Sequence, residues 1–505
     1  MAEGEEPTTV SKPRSLRKAI LRGSLGVGVA TAIERGTSAA ANILAARIAG
    51  PEVFGAYSLV LTTARTIAQY SGPGLGATGS RFGGDFRPGR PGYRRFLRSF
   101  LVISGCSMAV AAIVLLVTAR PLAVRLLNQP ALSGLLQVGA FVAGAAILGE
   151  TLRGFFVGQE SYRGVVLFTL VSGVGFLVVA PWAAAHGTAA LVWGQGLVSL
   201  AACGICLAAL GPLGLLSRAE NGVGQGRVGP GVRELLTFGL VQLASVAGIS
   251  LASWWLSVLV SRNDPTMVQM GLYSVANQFR GMIAVLPGII AQVVYPLLAE
   301  SAGEGFGGAD RVTLASAWIT TVVVVSTGGL MIVVLPWILT AIYGARYAGV
   351  ELPTALLVAT VIVQMAASPI ASRLSIVSVR GYGVVNLIWT VLMIGIGTVA
   401  TRSWGLEGAC WTWLGCQLLA QLQCMLMLAR LGRLSPDLLP VVMSGMLLAV
   451  GLAAIATFRG LSLMEPMPSV FFGVGSIAIS LAVLAVVGAR NGWLRRLPVR
   501  PQGVG

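Results

Sequence analysis

Apolar runs of about 20 residues, the length that carries an α-helix across the hydrocarbon of a bilayer, recur along this 505-residue chain. Fourteen can be read: 24–46, 54–77, 98–119, 135–157, 164–184, 188–210, 236–260, 271–298, 314–336, 353–372, 382–401, 407–429, 438–458 and 469–489. The polar segments between them are short, the longest being about 81–97 and 211–235, so no loop is large enough for a catalytic domain. The pattern predicts an all-α integral membrane protein that acts between its helices. Residues 1–22 are acidic and then basic, with no apolar core before a cleavage-type site, and read as a cytoplasmic tail rather than a signal peptide.

The pattern also repeats. Gly55-Ala56-Tyr57-Ser58 opens the second span and Gly271-Leu272-Tyr273-Ser274 opens the eighth, 216 residues later; Arg65 and Pro73 are echoed by Arg280 and Pro287. Arg153 and Tyr162 pair with Arg373 and Tyr382 at an offset of 220, and Gly187 with Gly408 at 221. Three echoes in order predict two six-helix lobes arisen by duplication. Six is even, so both lobes insert the same way round and their pseudo-two-fold axis runs along the membrane normal, with any substrate site between them near the midplane. The expected division is a cytoplasmic tail at 1–22, a first lobe at 23–211, a cytoplasmic linker at 212–235, a second lobe at 236–430, two additional helices within 431–490 and a second tail at 491–505.

Polar positions inside the apolar runs supply the candidate chemistry. Thr31, Arg35, Ser38 and Asn42 share one face of the first span with Glu34 beside them, and Ser58, Thr62, Arg65, Gln69 and Gly72 share one face of the second. Asn277 and Arg280 share a face of the eighth. An arginine at a bilayer's centre costs about 2.5–3.5 kcal/mol even on the lenient insertion scale, so three such arginines need compensation. One reading is a water-filled cationic cavity in which Arg35, Arg65 and Arg280, with Gln69, Asn277 and Asn42, bind an anion, because arginine suits bidentate phosphate contacts. The other is structural: Glu34 pairs with one arginine and the rest snorkel. Glu34 can neutralise only one of the three; it could be a counter-ion, or a proton or sodium site. Glu150 and Arg153, three apart, read as a local pair near the inner end of the fourth span.

Composition agrees with the membrane class: 55% hydrophobic residues and 10% charged ones, with a mean hydropathy of +0.82. The 66 glycines let membrane helices approach closely. The net charge of +17 does not indicate nucleic acid, since the basic residues are scattered between apolar runs. It indicates orientation instead. Arg47, Arg120, Arg125, Arg262, Arg346, Arg402 and Arg459 fall on one side and three arginines fall inside spans, leaving 25 of the 35 basic residues on the side of the N-terminus, which places both termini in the cytoplasm. The loop bearing Glu300, Glu304 and Asp310 runs against this bias. Only Lys12 and Lys18 are lysines, which excludes a phosphate-gripping G-x-x-x-x-G-K-[ST] loop. Cys106, Cys203, Cys206, Cys410, Cys416 and Cys424 sit in apolar runs and His186 is the sole histidine, so the cysteines read as small buried hydrophobes and no metal or other cofactor is expected.

Residues 46–58, ARIAGPEVFGAYS, followed by a glycine-rich turn and Arg81-Phe82, resemble the opening of the polysaccharide flippases of the multidrug/oligosaccharidyl-lipid/polysaccharide (MOP) exporter superfamily. Residues 271–300, GLYSVANQFRGMIAVLPGIIAQVVYPLLAE, are similar to their eighth helix, and 341–350, AIYGARYAGV, to the loop before the tenth. The resemblance spans roughly 20–430. It implies alternating access between the lobes and movement of a polyprenyl-diphosphate-linked oligosaccharide, a precursor of exopolysaccharide, capsule or O-antigen, from the inner to the outer leaflet of a bacterial plasma membrane. It further implies membrane lipids, a polysaccharide polymerase and glycosyltransferases as partners, and no enzyme activity of the chain's own. In the related lipid II flippases, arginines on the first, second and eighth helices matter, and Arg35, Arg65 and Arg280 lie on comparable helices. Gly74-Leu75-Gly76 stands where relatives more often carry Asp before the glycine, so no role for that acid carries over. A cation-coupled multidrug antiporter of the same superfamily would favour acidic cavities. A polymerase or ligase would need a large external loop. A non-transporting scaffold for polysaccharide synthesis would not need arginines on facing helices.

Overall fold

The computed structural model describes residues 13–72, 74–89, 91–212, 215, 229–290 and 306–491. Residues 1–12 and 492–505, most of the 212–235 linker, Pro73, Glu300 and Glu304 lie outside the described residues, whereas 13–22, expected to belong to the first tail, are the helical start of α1. The helices are α1 (Pro13–Ser71), α2 (Leu75–Asp85), α3 (Tyr93–Pro121), α4 (Ser133–Gly158), α5 (Tyr162–Ala185), α6 (Thr188–Ala209), α7 (Val232–Arg262) and α8 (Val268–Ile283). They continue with α9 (Phe306–Tyr343), α10 (Glu351–Ala366), α11 (Ser368–Val377), α12 (Val379–Arg430), α13 (Leu438–Gly460) and α14 (Pro466–Arg490). Among the described residues nine helices are long and apolar enough to cross a membrane, eleven if each bent pair is one span; the bends are 55° within α7 and 46° between α10 and α11.

Two of the nine are at least twice the length of a single crossing. The apolar part of α1 runs for 40 residues and α12 for 52, against about 20 for one bilayer. Each is broken at one non-helical glycine, Gly50 (φ 81°, ψ 169°) and Gly405 (φ 56°, ψ −134°). A straight helix would hold Thr37 and Tyr57 about 30 Å apart. Both nevertheless meet α5 within one turn: a Cβ on Gly173 would overlap the Thr37 hydroxyl, and the Phe176 ring lies 6.4 Å from that of Tyr57. The chain therefore folds back at Gly50. Likewise Trp389 and Trp413, about 36 Å apart along a straight helix, have ring centroids 5.7 Å apart. Counting these hairpins as two spans each raises the eleven to thirteen. Helix α8, with residues 285–290 continuing it, begins the fourteenth, whose expected end at 291–298 lies outside the described residues.

The backbone carries the duplication further than the sequence echoes. Positive-φ turn residues recur in the two lobes as Gly50 and Met267, Asn128 and Gly344, and Gly187 and Gly405, at offsets of 217, 216 and 218. The mate of Gly187 is thus Gly405, not Gly408: Gly405 turns the chain, whereas Gly408 packs where a Cβ would overlap the carbonyl of Ala400.

The lobes meet along α1, α7 and α8, and they do so reciprocally. A Cβ on Gly55 would overlap the carbonyl oxygen of Met267, and one on Gly271 would overlap that of Pro51. Residues 55 and 271 are repeat mates at an offset of 216, and the carbonyls they meet, those of Met267 and Pro51, lie within one residue of matching positions, so the pseudo-two-fold passes through this contact. Trp254 Nε1 donates to Thr63 Oγ1 at 3.1 Å, Gln278 Nε2 to the Ala39 carbonyl at 2.7 Å and Tyr347 Oη to the Ala46 carbonyl at 2.9 Å. At the start of α3, Tyr93 donates to the Leu215 carbonyl at 2.5 Å. Glu300 and Glu304 apart, the acidic loop's Asp310 is paired with Arg373.

Gly271→Val should abolish the folded, monodisperse protein on detergent size-exclusion, because backbone of the other lobe fills the Cβ position. Gly281→Ala, ten residues further on with nothing within 4 Å of its Cβ position, should leave the profile intact.

Candidate functional site

The stripes read on the first and second spans face one another. A cavity of about 890 Å³ lies against them, lined by Glu34, Arg35, Ser38 and Asn42 from the first limb of α1 and by Arg65, Gln69 and Gly72 from the second. Helices α2, α4, α5 and α6 complete the wall on the first lobe; Gln242 and Leu243 of α7 and Gln278, Gly281 and Met282 of α8 close it from the second. Part of this surface is fixed by hydrogen bonds: Ser250 Oγ donates to Gln69 Oε1 at 2.8 Å, and the Gln278 bond to Ala39 holds α8 against α1.

Five charged side chains line the cavity, Glu34, Arg35, Arg65, Glu150 and Arg153, for a formal charge of one positive unit. Arg153 reaches from α4 to form a fork with Glu34, Nη1 to Oε1 at 3.3 Å and Nη2 to Oε2 closer still. The expected local pair of Glu150 with Arg153 is not the one formed. The two residues are one turn apart on α4, but the Arg153 guanidinium finds a bidentate partner on α1, and a fork satisfies more of its donors than a lateral contact along one helix would. Among the described residues Arg35, Arg65 and Glu150 have no ion-pair partner.

Arg280 and Asn277 do not line this cavity. They share a face of α8, as their spacing requires, but Gln278, Gly281 and Met282 are the residues turned toward the cavity. At 100° per residue, Arg280 sits about 200° from Gln278 and points into the second lobe. There its guanidinium carbon lies 4.0 Å from the centroid of the Trp413 ring, a cation–π contact of about 1–2 kcal/mol when desolvated. Trp413 Nε1 in turn donates to Tyr273 Oη at 2.9 Å, and Asn277 Nδ2 to the Tyr273 carbonyl at 3.2 Å. The first lobe carries a counterpart at offsets of 216 and 218, where Tyr57 Oη donates to Gln195 Oε1 at 3.4 Å. The lobes share a tyrosine-to-helix contact but differ in what lies beside it.

The cavity's polar residues not foreseen include Glu150, Arg153, Ser172, Gln195, Ser199, Gln242 and Gln278. Gln195 and Ser199, four apart in the otherwise apolar run 188–210, were a visible polar stripe; Gln195 Nε2 donates to Ser199 Oγ at 3.3 Å. The partner of Arg153 was not visible, because it lies 119 residues away. Among the described residues no group of three His, Cys, Asp or Glu could hold a metal ion, and the cysteines are free, with Cys106 alone exposed.

This fold, two pseudo-symmetric six-helix lobes enclosing a polar cavity with two helices appended, is one that solved membrane transporters share. The solved structure of the lipid II flippase MurJ in an inward closed conformation superposes with a TM-score of 0.65, at 12% identity, covering 92% of this chain and 98% of that one. An inward-facing MATE-family multidrug resistance transporter of the MOP superfamily superposes with a TM-score of 0.58, at 14% identity, covering 79% of this chain and 96% of the other. The family model described as "Polysaccharide biosynthesis protein" matches residues 20–302, and the chain belongs to that family. A relative in Ralstonia solanacearum, the EPS I polysaccharide export inner membrane protein EpsE, is 27% identical over 312 residues, 58% of this chain and 67% of the relative.

Trp413→Phe keeps a ring over Arg280 but loses the indole donor to Tyr273, and should lower stability by about 1 kcal/mol. Trp413→Ala, which also empties a large buried site, should cost about 3–5 kcal/mol. Thermal melting of the purified variants checks the order.

Proposed function

We propose that the chain is a flippase that moves a polyprenyl-diphosphate-linked oligosaccharide, a precursor of exopolysaccharide, capsule or O-antigen, from the inner to the outer leaflet by alternating access of its two lobes. The observation that carries this is the pair of arginines Arg35 and Arg65, without an ion-pair partner among the described residues, on one polar cavity between the lobes. Both side chains are exposed on the cavity wall, so water moderates their pull on a dianionic group, and guanidinium forks match the oxygens of a diphosphate. Gln69, Asn42, Gln195 and Gln242 line the same space with donors and acceptors suited to sugar hydroxyls. Its volume falls within the range of about 300–1,000 Å³ usual for small-molecule sites, enough for a headgroup while a polyprenyl tail stays in lipid. Arg280 and Asn277, in the second lobe's tyrosine–tryptophan cluster, make no contact with substrate in this arrangement.

The cavity extends to Gly76, Ala77, Glu150 and Arg153, at the end of the spans that the basic-residue bias assigns to the cytoplasm, which suits loading from the inner leaflet. The family and the EPS export relative support the polysaccharide reading over a drug antiporter, and so does a cavity whose unpaired charges among the described residues are mainly cationic; the fold is common to both. A polymerase and glycosyltransferases would act after and before this step.

Arg65→Ala should abolish surface polysaccharide while the protein stays in the membrane, since a charged hydrogen-bonded contact of about 2–3 kcal/mol is lost. In a deletion strain complemented with this variant, leaflet-resolved detection should find the lipid-linked oligosaccharide retained in the inner leaflet. Normal polymer output from Arg65→Ala would refute the assignment.

A further inference from the structure

The Glu34–Arg153 pair is placed where an anionic ligand would compete for it. Both side chains are 26% exposed and both line the cavity, so the pair is a solvent-screened one rather than a sealed core bridge. Its two halves differ in freedom. Glu34 sits on packed backbone, since α5 lies so close that a Cβ on Gly173 would come within 4.0 Å of the Glu34 Cα, and its short side chain places the carboxylate near that backbone. Arg153 is a long arm with an alternative neighbour, since Glu150, one turn earlier on α4, lines the cavity without an ion-pair partner. Arg35, next to Glu34 in sequence, and Arg65 lie on the same cavity and carry no carboxylate. The geometry a carboxylate offers a guanidinium, two oxygens in one plane, is the geometry a phosphate offers.

We propose that Glu34 is a built-in stand-in for the ligand's phosphate. It occupies Arg153 while the cavity holds no anion, and an incoming diphosphate takes Arg153 from it, so that Arg35, Arg65 and Arg153 grip the ligand together. This rests on the flippase reading and adds a third phosphate contact and its internal competitor. A mere structural clamp between α1 and α4 would behave in the opposite way, because weakening it would loosen the cavity and reduce binding.

The test titrates purified full-length protein in neutral detergent with inorganic pyrophosphate by calorimetry at fixed ionic strength, with melting curves for each variant. Glu34→Gln removes the competing charge but keeps the side chain's size, and should tighten pyrophosphate binding roughly two- to fivefold. Arg153→Gln should weaken it about tenfold, and in the Glu34→Gln/Arg153→Gln double variant the gain should vanish. Arg153→Lys replaces Arg153→Gln if the latter melts early; it keeps the charge without the fork, and the gain from Glu34→Gln should shrink on that background. Unchanged or weaker binding by Glu34→Gln, or a gain that persists without Arg153, overturns the proposal. Arg65→Ala separates the two levels. If it binds pyrophosphate as the parent does, the anion cavity itself is refuted; if it loses binding while Glu34→Gln gains nothing, only the stand-in role is refuted.

Discussion

The close approach of Gly55 to the Met267 carbonyl, mirrored by Gly271 against the Pro51 carbonyl, is the constraint on which the rest of the arrangement depends. Two backbones can meet at that distance only where neither carries a Cβ, and the same residue type is needed on both sides because the contact maps onto itself. It pins the entry of the second limb of α1 to the entry of α8. From there the helices run on to the cavity-lining positions 61–77 and 278–282. Where the lobes touch, small residues permit contact; further along, polar and charged residues line the space between them.

That space has an electrostatic logic. A membrane interior penalises each buried charge, and the simplest remedy is a partner. Arg153 has one, Glu34. Arg373 has another, Asp310, across the entry to α9. Arg280 has an aromatic face instead. Among the described residues Arg35 and Arg65 have neither, and they lie on the cavity wall, where water or an anion can reach them. Their difference from the other arginines is positional rather than chemical.

Much of this was legible in the sequence because the bilayer imposes a length. Apolar runs near 20 residues gave the spans, Gly50 and Gly187 stood between them where turns were needed, and the 3.6-residue period put Arg35 with Asn42 and Arg65 with Gln69. What the period could not show is which way a two-faced helix points. Helix α8 carries a Gln278 stripe and an Asn277–Arg280 stripe on opposite faces, and only packing against α1, through the Gln278 bond to Ala39, decides that the first meets the cavity. Nor can spacing reveal partners distant in sequence: Glu150 was the obvious neighbour for Arg153, and Glu34 won because two helices cross there. The Gly187 echo was placed three residues late for a related reason, since letters match at Gly408 while the turn falls at Gly405.

The self-mapping contact also says something about descent. Two copies of a single six-helix chain, inserted the same way round, would meet through the same glycine and the same carbonyl, as in any isologous pair. In such a homodimer every change on one side would be forced on the other, and a charged wall on one copy would face an equally charged wall on its twin. Fusion removed that obligation everywhere except on the axis. The positions at the axis stayed glycine, while those away from it parted company: one half gathered five charged groups around a cavity, and the other wrapped its arginine in tryptophan.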